Sequence, residues 1–244
     1  MRHAIAAGTV AAAILCVASC GRQVPAPTET TTSLGRTSVA PAGTVVADDA
    51  DALVRFVNAD PEGKGRAILA HGEPLFSGIE YKQTTPYLAI PRSVEEFELQ
   101  DADTSQRIAV SRRALLIGRH YTLVALPRER FDSRLAVMQD NLYLLEPGRA
   151  RVRLVNATLD VDELDLYAVG SQKTVLHGVD PATATSFVDV DAGTFEVHPR
   201  GQLAPPQLAN LPVEADRVYT FVVVGDAADL ELVRIEDDIL AMKT

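Results

Sequence analysis

Val54-Arg55-Phe56-Val57-Asn58-Ala59 returns as Val152-Arg153-Leu154-Val155-Asn156-Ala157, 98 positions later by subtraction on the numbering. The same register pairs Gly72 with Gly170, Phe97-Glu98 with Phe195-Glu196 and Tyr121-Thr122 with Tyr219-Thr220. Between these anchors the offset drifts to 100, matching Gly78-Ile79-Glu80 to Gly178-Val179-Asp180 and Tyr87 to Phe187, and then returns. A compensated two-residue indel in loops leaves that trace. A period of this length is too long for a solenoid unit that leans on its neighbours and suits a unit that buries its own core.

The chain has 244 residues with 47% hydrophobic and 5% aromatic content and no Trp, so its cores are built from Val, Leu, Ile and Ala. The formal charge of -10 excludes an extended nucleic-acid surface, which needs clustered Lys and Arg. Residues 52–148 carry 12 basic and 13 acidic side chains, residues 149–244 carry 8 and 16, so the second copy holds nearly all the excess.

The N-terminus reads as an export address. Arg2 and His3 precede an apolar run from Ala4 to Ala18, too short to span a bilayer stably. The run ends in Val17-Ala18-Ser19-Cys20, which resembles the lipobox of bacterial lipoproteins. The resemblance implies that residues 1–19 are a signal peptide and that Cys20 becomes the acylated N-terminus. Two or more acyl chains anchor durably where one holds only marginally. Gly21 stands where an aspartate would retain a lipoprotein at the inner membrane of Gram-negative bacteria, and this favours the outer membrane. From Cys20 to about residue 50 the chain is rich in Pro, Thr, Ser and Ala and reads as a tether with a reach of about 30 Å.

The remainder divides into repeats at 51–147 and 148–244, with short alternating runs separated by turn signals, the pattern of an all-β sandwich. In the second copy the expected strands are 152–156, 164–168, 186–190, 194–198, 218–224 and 230–235. The run 218–224 is nearly continuous in apolar and β-branched residues and is expected to be buried on both faces. Leu115-x-x-Gly118-x-x-Tyr121 and Val213-x-x-Asp216-x-x-Tyr219 resemble the tyrosine corner of immunoglobulin-like domains, which assigns Tyr121 and Tyr219 a structural role. The expected fold is therefore two tandem immunoglobulin-like β-sandwich domains.

The opening VRLVNAT, the Asp165-Leu166-Tyr167 strand, the Gly178-Val179 step, the Ala192-Gly193-Thr194-Phe195-Glu196-Val197 hairpin and Tyr219-Thr220-Phe221-Val222-Val223 together resemble the DUF4397 family, a domain of unknown function. The first copy departs from the pattern. It lacks the Asp-x-Tyr pair near Ile68-Leu69 and has Pro91-Arg92-Ser93-Val94 in place of the Ala-Gly turn. The resemblance implies secreted or envelope-bound bacterial proteins, often with tandem copies, and transfers no catalytic residue.

Residues 160–165, Asp-Val-Asp-Glu-Leu-Asp, offer oxygen ligands of the kind calcium takes, but alternation spreads them along a strand and no Gly supplies a sharp loop. His71, His120, His177 and His198 stand singly, without zinc-ligand spacing. No Gly-x-Ser-x-Gly elbow is present, and Ser77 and Ser93 have no positioned base nearby in sequence. Arg107, Arg112, Arg113 and Arg119 form the one basic cluster, read as a solvated strand edge or as a contact with the acidic second copy. The sequence therefore predicts no catalytic residue, no metal and no cofactor. It predicts a non-enzymatic envelope lipoprotein, held to the membrane by its lipid, that displays two domains to an envelope protein or glycan. The alternatives are an envelope hydrolase or carbohydrate-processing accessory enzyme, and a structural spacer.

Overall fold

The computed structural model describes residues 38–39, 51–62, 64–91, 96–127, 134–200 and 208–240. The lipidation site expected at Cys20, most of the tether and Ser93 lie outside the described residues. Regular structure among the described residues consists of strands. A short β1 (Ser38–Val39) is followed by eight strands in the first repeat. These are β2 (Asp51–Asn58), β3 (Arg66–Ala70), β4 (Glu73–Ile79), β5 (Leu88–Pro91), β6 (Glu96–Asp101), β7 (Arg107–Arg112), β8 (His120–Ala125) and β9 (Leu135–Asp140). The second repeat has β10 (Arg149–Asn156), β11 (Leu164–Ala168), β12 (Lys173–Val179), β13 (Val188–Asp191), β14 (Gly193–Pro199), β15 (Leu208–Val213), β16 (Arg217–Asp226) and β17 (Asp229–Asp238).

The strand orders are the same in the two repeats. The first builds sheets β5-β2-β8-β9 and β4-β3-β6-β7, the second β13-β10-β16-β17 and β12-β11-β14-β15, with β1 added in parallel to the edge of β17. In each repeat the first strand runs parallel to the seventh, Val54 beside Tyr121 and Val152 beside Tyr219. All other pairings within the repeats are antiparallel. The two sheets of a repeat close over one apolar core, as alternating strands require. Val54, Phe56, Ile68, Phe97 and Leu123 fill the first core, and Val152, Leu154, Leu166, Phe195 and Phe221 the second.

The drift in the repeat register has a structural location. The β3–β4 hairpin turns on His71 and Gly72, both at positive φ (49° and 83°), whereas the β11–β12 connection takes the four residues 169–172. Two residues at left-handed φ match the twist of a tight hairpin, and the second is a glycine because no Cβ then opposes the conformation. The two extra residues of the second repeat are cancelled further on, where five residues separate Pro91 from Phe97 but only three separate Asp191 from Phe195.

A third apolar cluster belongs to neither sandwich. Val57, Val124 and Leu126 of the first repeat meet Val155, Val222, Val224, Val233 and Ile235 of the second. These residues alternate with the core residues of the same strands. Sheet β5-β2-β8-β9 therefore packs its outer face on the outer face of β13-β10-β16-β17. The expectation that residues 218–224 are buried on both faces holds for this reason: Tyr219, Phe221 and Val223 point into the sandwich, Val222 and Val224 into the other repeat.

Candidate functional site

The opening motif of each repeat can be decoded position by position. Val54 and Phe56 face the core, Val57 faces the other repeat, and Asn58 closes the strand: its Nδ2 donates to Ile79 O (2.8 Å) and its Oδ1 accepts from Asp60 N (3.0 Å). Asn156 does the same with Val179 O (2.9 Å) and Thr158 N (3.2 Å). The arginine is the position that sequence reasoning left unexplained. Arg55 Nε donates to Thr122 Oγ1 in its own repeat (2.8 Å), and its two terminal nitrogens form a fork on Asp237 of the other repeat (2.8 Å each). Reciprocally, Arg153 Nε donates to Thr220 Oγ1 of its own repeat (2.9 Å), and its Nη2 donates to Asp140 of the first. Each guanidinium also lies over a ring at equivalent positions, Arg55 on Tyr87 (4.4 Å) and Arg153 on Phe187 (4.5 Å).

All four charged groups are buried. Burial alone would push the Asp140 carboxyl up, but Arg153 and Arg55 outweigh it, helped by hydrogen bonds from Thr122 Oγ1 and Tyr87 Oη (2.7 Å each), and hold it below the usual carboxylate range. Burial likewise works against the charge on Arg55, and Tyr87, Asp237 and Asp140 overcome it and raise its pKa. Burial pushes the Tyr87 phenol well above its ordinary value and His120 below its own. His120 packs edge-on against Tyr87 (4.9 Å), and its buried Nδ1 has no hydrogen-bond partner among the described residues.

This joint fixes which ends of the sandwiches lie together. At one end Lys82 Nζ bonds the Glu231 carboxylate (2.7 Å). At the other the linker is tied to both repeats: Tyr143 Oη donates to Gly118 O (2.7 Å), Arg151 Nη1 donates to Tyr143 O (2.8 Å), and Leu240 N donates to Leu142 O (2.8 Å). The starts of β2, β8, β10 and β16 thus gather at one pole of the molecule. A cleft of about 470 Å³ opens there in the second repeat between the Gly170–Val175 turn and the Asp189–Phe195 hairpin, lined by Arg149, Lys173, Asp189, Asp191 and Thr194. The first repeat has a counterpart of about 440 Å³ lined by His71, Glu96, Arg112 and Arg113. These clefts mix charge of both signs with backbone of tight turns, which suits recognition of polar groups.

Tyr121 Oη accepts from Leu116 N at 2.9 Å and Tyr219 Oη from Glu214 N at 3.0 Å, each bond reaching five residues upstream. The carboxylates of residues 160–165 are committed to separate tasks. Asp160 accepts from Ala227 N (2.6 Å), Glu163 pairs with Arg200 and Asp165 accepts from Gly178 N (2.6 Å). No group of three or more metal-ligating side chains occurs among the described residues. Among the described residues the basic cluster finds its partners within the first repeat, unlike one of its two readings. Arg107 pairs with Glu98 (2.9 Å), Arg112 with Glu96 (2.7 Å), and Arg113 donates to Val137 O (3.3 Å), all within the first repeat. The cations that do cross between the repeats include Arg55 and Arg153, with Lys82 at the other end. An arginine placed mid-strand among buried apolar residues in both copies, with a threonine at the matching register of the neighbouring strand, was the available signal.

The family model described as "Domain of unknown function (DUF4397)" matches residues 52–167 and again 156–243, and the chain belongs to this family, in two tandem copies. No curated protein matches the sequence. Among solved structures, a family-26 carbohydrate-binding module of Eubacterium rectale Amy13K in complex with maltoheptaose is 10% identical, with a TM-score of 0.24 over 79% of this chain and 98% of that one. A streptococcal virulence factor whose structure concerns alpha-glucan binding is 12% identical, with a TM-score of 0.23 over 75% and 97%. A likeness this low carries no ligand from one protein to another.

Proposed function

We propose that this protein is a non-enzymatic envelope lipoprotein, acylated at Cys20, which presents its paired sandwiches to a partner in the bacterial envelope, at the outer membrane. The observation that carries the binding role is the buried Arg55–Asp237 and Arg153–Asp140 joint, because it fuses the repeats into one body and brings two polar clefts to a single pole. A surface held this way loses little conformational freedom on binding, which favours affinity. Turns at the end of a sandwich are also the ordinary place for recognition on such a scaffold. The lipid supplies localisation and the tether supplies reach, so that no catalytic group is required of the domains.

Two measurements test this. Metabolic labelling with a palmitate analogue should mark the wild-type chain and leave Cys20→Ala unmarked; labelling of both, or of neither, rejects the anchor. Affinity capture of the acylated protein from envelope extract should recover a partner in stoichiometric amount, and Lys173→Glu should reduce that recovery while leaving the melting temperature unchanged. Empty capture with both forms would favour a structural spacer.

A further inference from the structure

Equivalent edges of the two sandwiches are finished differently. In the order β12-β11-β14-β15 the outer side of β12 has no neighbouring strand among the described residues, and in β17-β16-β10-β13 the outer side of β13 has none. The cleft of the second repeat opens between these two edges, with Lys173, Thr174 and Val175 of β12 on one wall and Asp189, Val190 and Asp191 of β13 on the other. The first repeat has the same edges in β4 and β5, and there a proline stands on each. Pro74 lies opposite Leu69 as Thr174 lies opposite Tyr167, and Pro91 lies opposite Asp51 as Asp191 lies opposite Arg149. Proline removes a backbone donor and is a common means of closing an edge to further strands. In the second repeat both edges lack one.

Packing and charge at this opening define what it accepts. Ala168, Val175, Val190 and Phe195 line it with apolar surface. Asp189 is paired with Arg151 (2.6 Å) and Asp191 with Arg149 (3.0 Å), so the carboxylates of the cleft are compensated. Lys173 is not. Among the described residues of the second repeat, Arg149, Arg151, Arg153, Arg200, Arg217 and Arg234 each meet a carboxylate, while Lys173, exposed at the start of β12, meets none. The first repeat has Glu73 at the same place, opposite Ala70 as Lys173 is opposite Ala168, so the fold asks for no cation there. An uncompensated cation, in a copy with 8 basic and 16 acidic side chains, favours an anionic group on the ligand. The two strand edges, whose backbone groups match those of an extended polypeptide, favour a peptide over a glycan or a lipid.

We propose that the opening between β12 and β13 binds an extended segment of a protein partner in which an aliphatic residue adjoins an acidic one; this rests on the binding role given above and names its ligand. The aliphatic side chain covers Val175 and Val190, the carboxylate faces Lys173, and the peptide backbone pairs with a free strand edge. The interaction involves no covalent step.

Two peptides test this, Val-Thr-Val-Asp-Val and Val-Thr-Val-Lys-Val, each carrying fluorescein at the N-terminus and an amide at the C-terminus. They are titrated against the full acylated protein in detergent micelles, with binding read by fluorescence anisotropy. The aspartate peptide should bind about threefold more tightly than the lysine peptide, the increment of one exposed ion pair. Lys173→Glu, which installs the residue of the first repeat, should reverse that preference. Thr174→Pro with Asp191→Pro, prolines that the first repeat carries at the same register, should weaken both peptides about threefold or more at an unchanged melting temperature. Equal affinity for the two peptides, or a preference that Lys173→Glu leaves in place, overturns the acidic ligand. No binding of either peptide overturns the proposal as a whole. If a partner is then still captured from envelope extract, by the wild type and the double-proline variant alike, the binding role stands without it; if capture is empty, the binding role falls as well.

Discussion

Arg55 and Arg153 each satisfy a threonine of their own repeat and a carboxylate of the other, and both ends of each pair are withdrawn from water. Removing one member of such a pair strands the other, which costs more than the pair itself contributes. Arg55→Ala is expected to lower the unfolding free energy by about 3–5 kcal/mol in urea titrations. Combining Arg55→Met with Asp237→Leu should recover most of that loss, because two apolar side chains leave no charge uncompensated. His120 gives the joint a pH dependence. Its value is depressed by burial, against opposing pulls from Asp140 and Asp237, so its contribution is complete above about pH 6.5 and is lost as pH falls through the depressed folded value. Asp140 is depressed too, and its contribution is complete above about pH 3.9 and fails in stronger acid. The raised Tyr87 behaves oppositely, and its contribution is complete below about pH 10 and disappears in alkali. His120→Phe, which keeps the ring contact with Tyr87, should flatten the melting temperature between pH 7 and 5 and leave the acid limb in place.

At the scale of strands, Gly225 near the end of β16 shows how little freedom a hairpin has. Its φ is +92°, and a Cβ would stand 2.2 Å from Asp229 O, a backbone atom with no room to retreat. Gly225→Ala is expected to cost about 2 kcal/mol or more, read from the urea midpoint. Gly72→Ala has the same class of φ but open space around it, and should cost less. Strands were legible in the sequence wherever one face meets a core and the other meets water, as in Leu164–Ala168. Those missed in the second repeat have reasons. In β12 the register shifts opposite Leu164–Tyr167 and Gly178 takes a positive φ, and both break the two-residue alternation. In β15 Asn210 at φ 57° and Pro212 interrupt an edge strand. The joint was illegible for a different cause. When both faces of a strand are buried the alternation disappears, and an apolar run does not say which face meets which partner. The polar clefts, assembled from turns far apart in sequence, left no pattern either.

For the whole molecule, the consequence is that neither repeat is complete alone. Separation would expose Val57, Val124, Val155, Val222, Val224, Val233 and Ile235 on flat sheet faces, each worth roughly 1.5–3 kcal/mol when buried, together with four unpaired charges. The full chain should therefore unfold in a single calorimetric transition, with van't Hoff and calorimetric enthalpies in agreement; two resolved transitions would show that the sandwiches are thermodynamically independent. The reciprocity of the joint has a deeper implication. Arg55 with Asp237 and Arg153 with Asp140 are one isologous contact made twice, the signature of a homodimer whose subunits became covalently joined. In a homodimer every substitution is imposed on both subunits at once. Fusion lifts that constraint, so turns that began as copies at one pole could diverge, Glu214-Ala215 in one half and Leu116-Ile117 in the other, and symmetry inherited from self-association became the raw material for a molecule with two unlike sides.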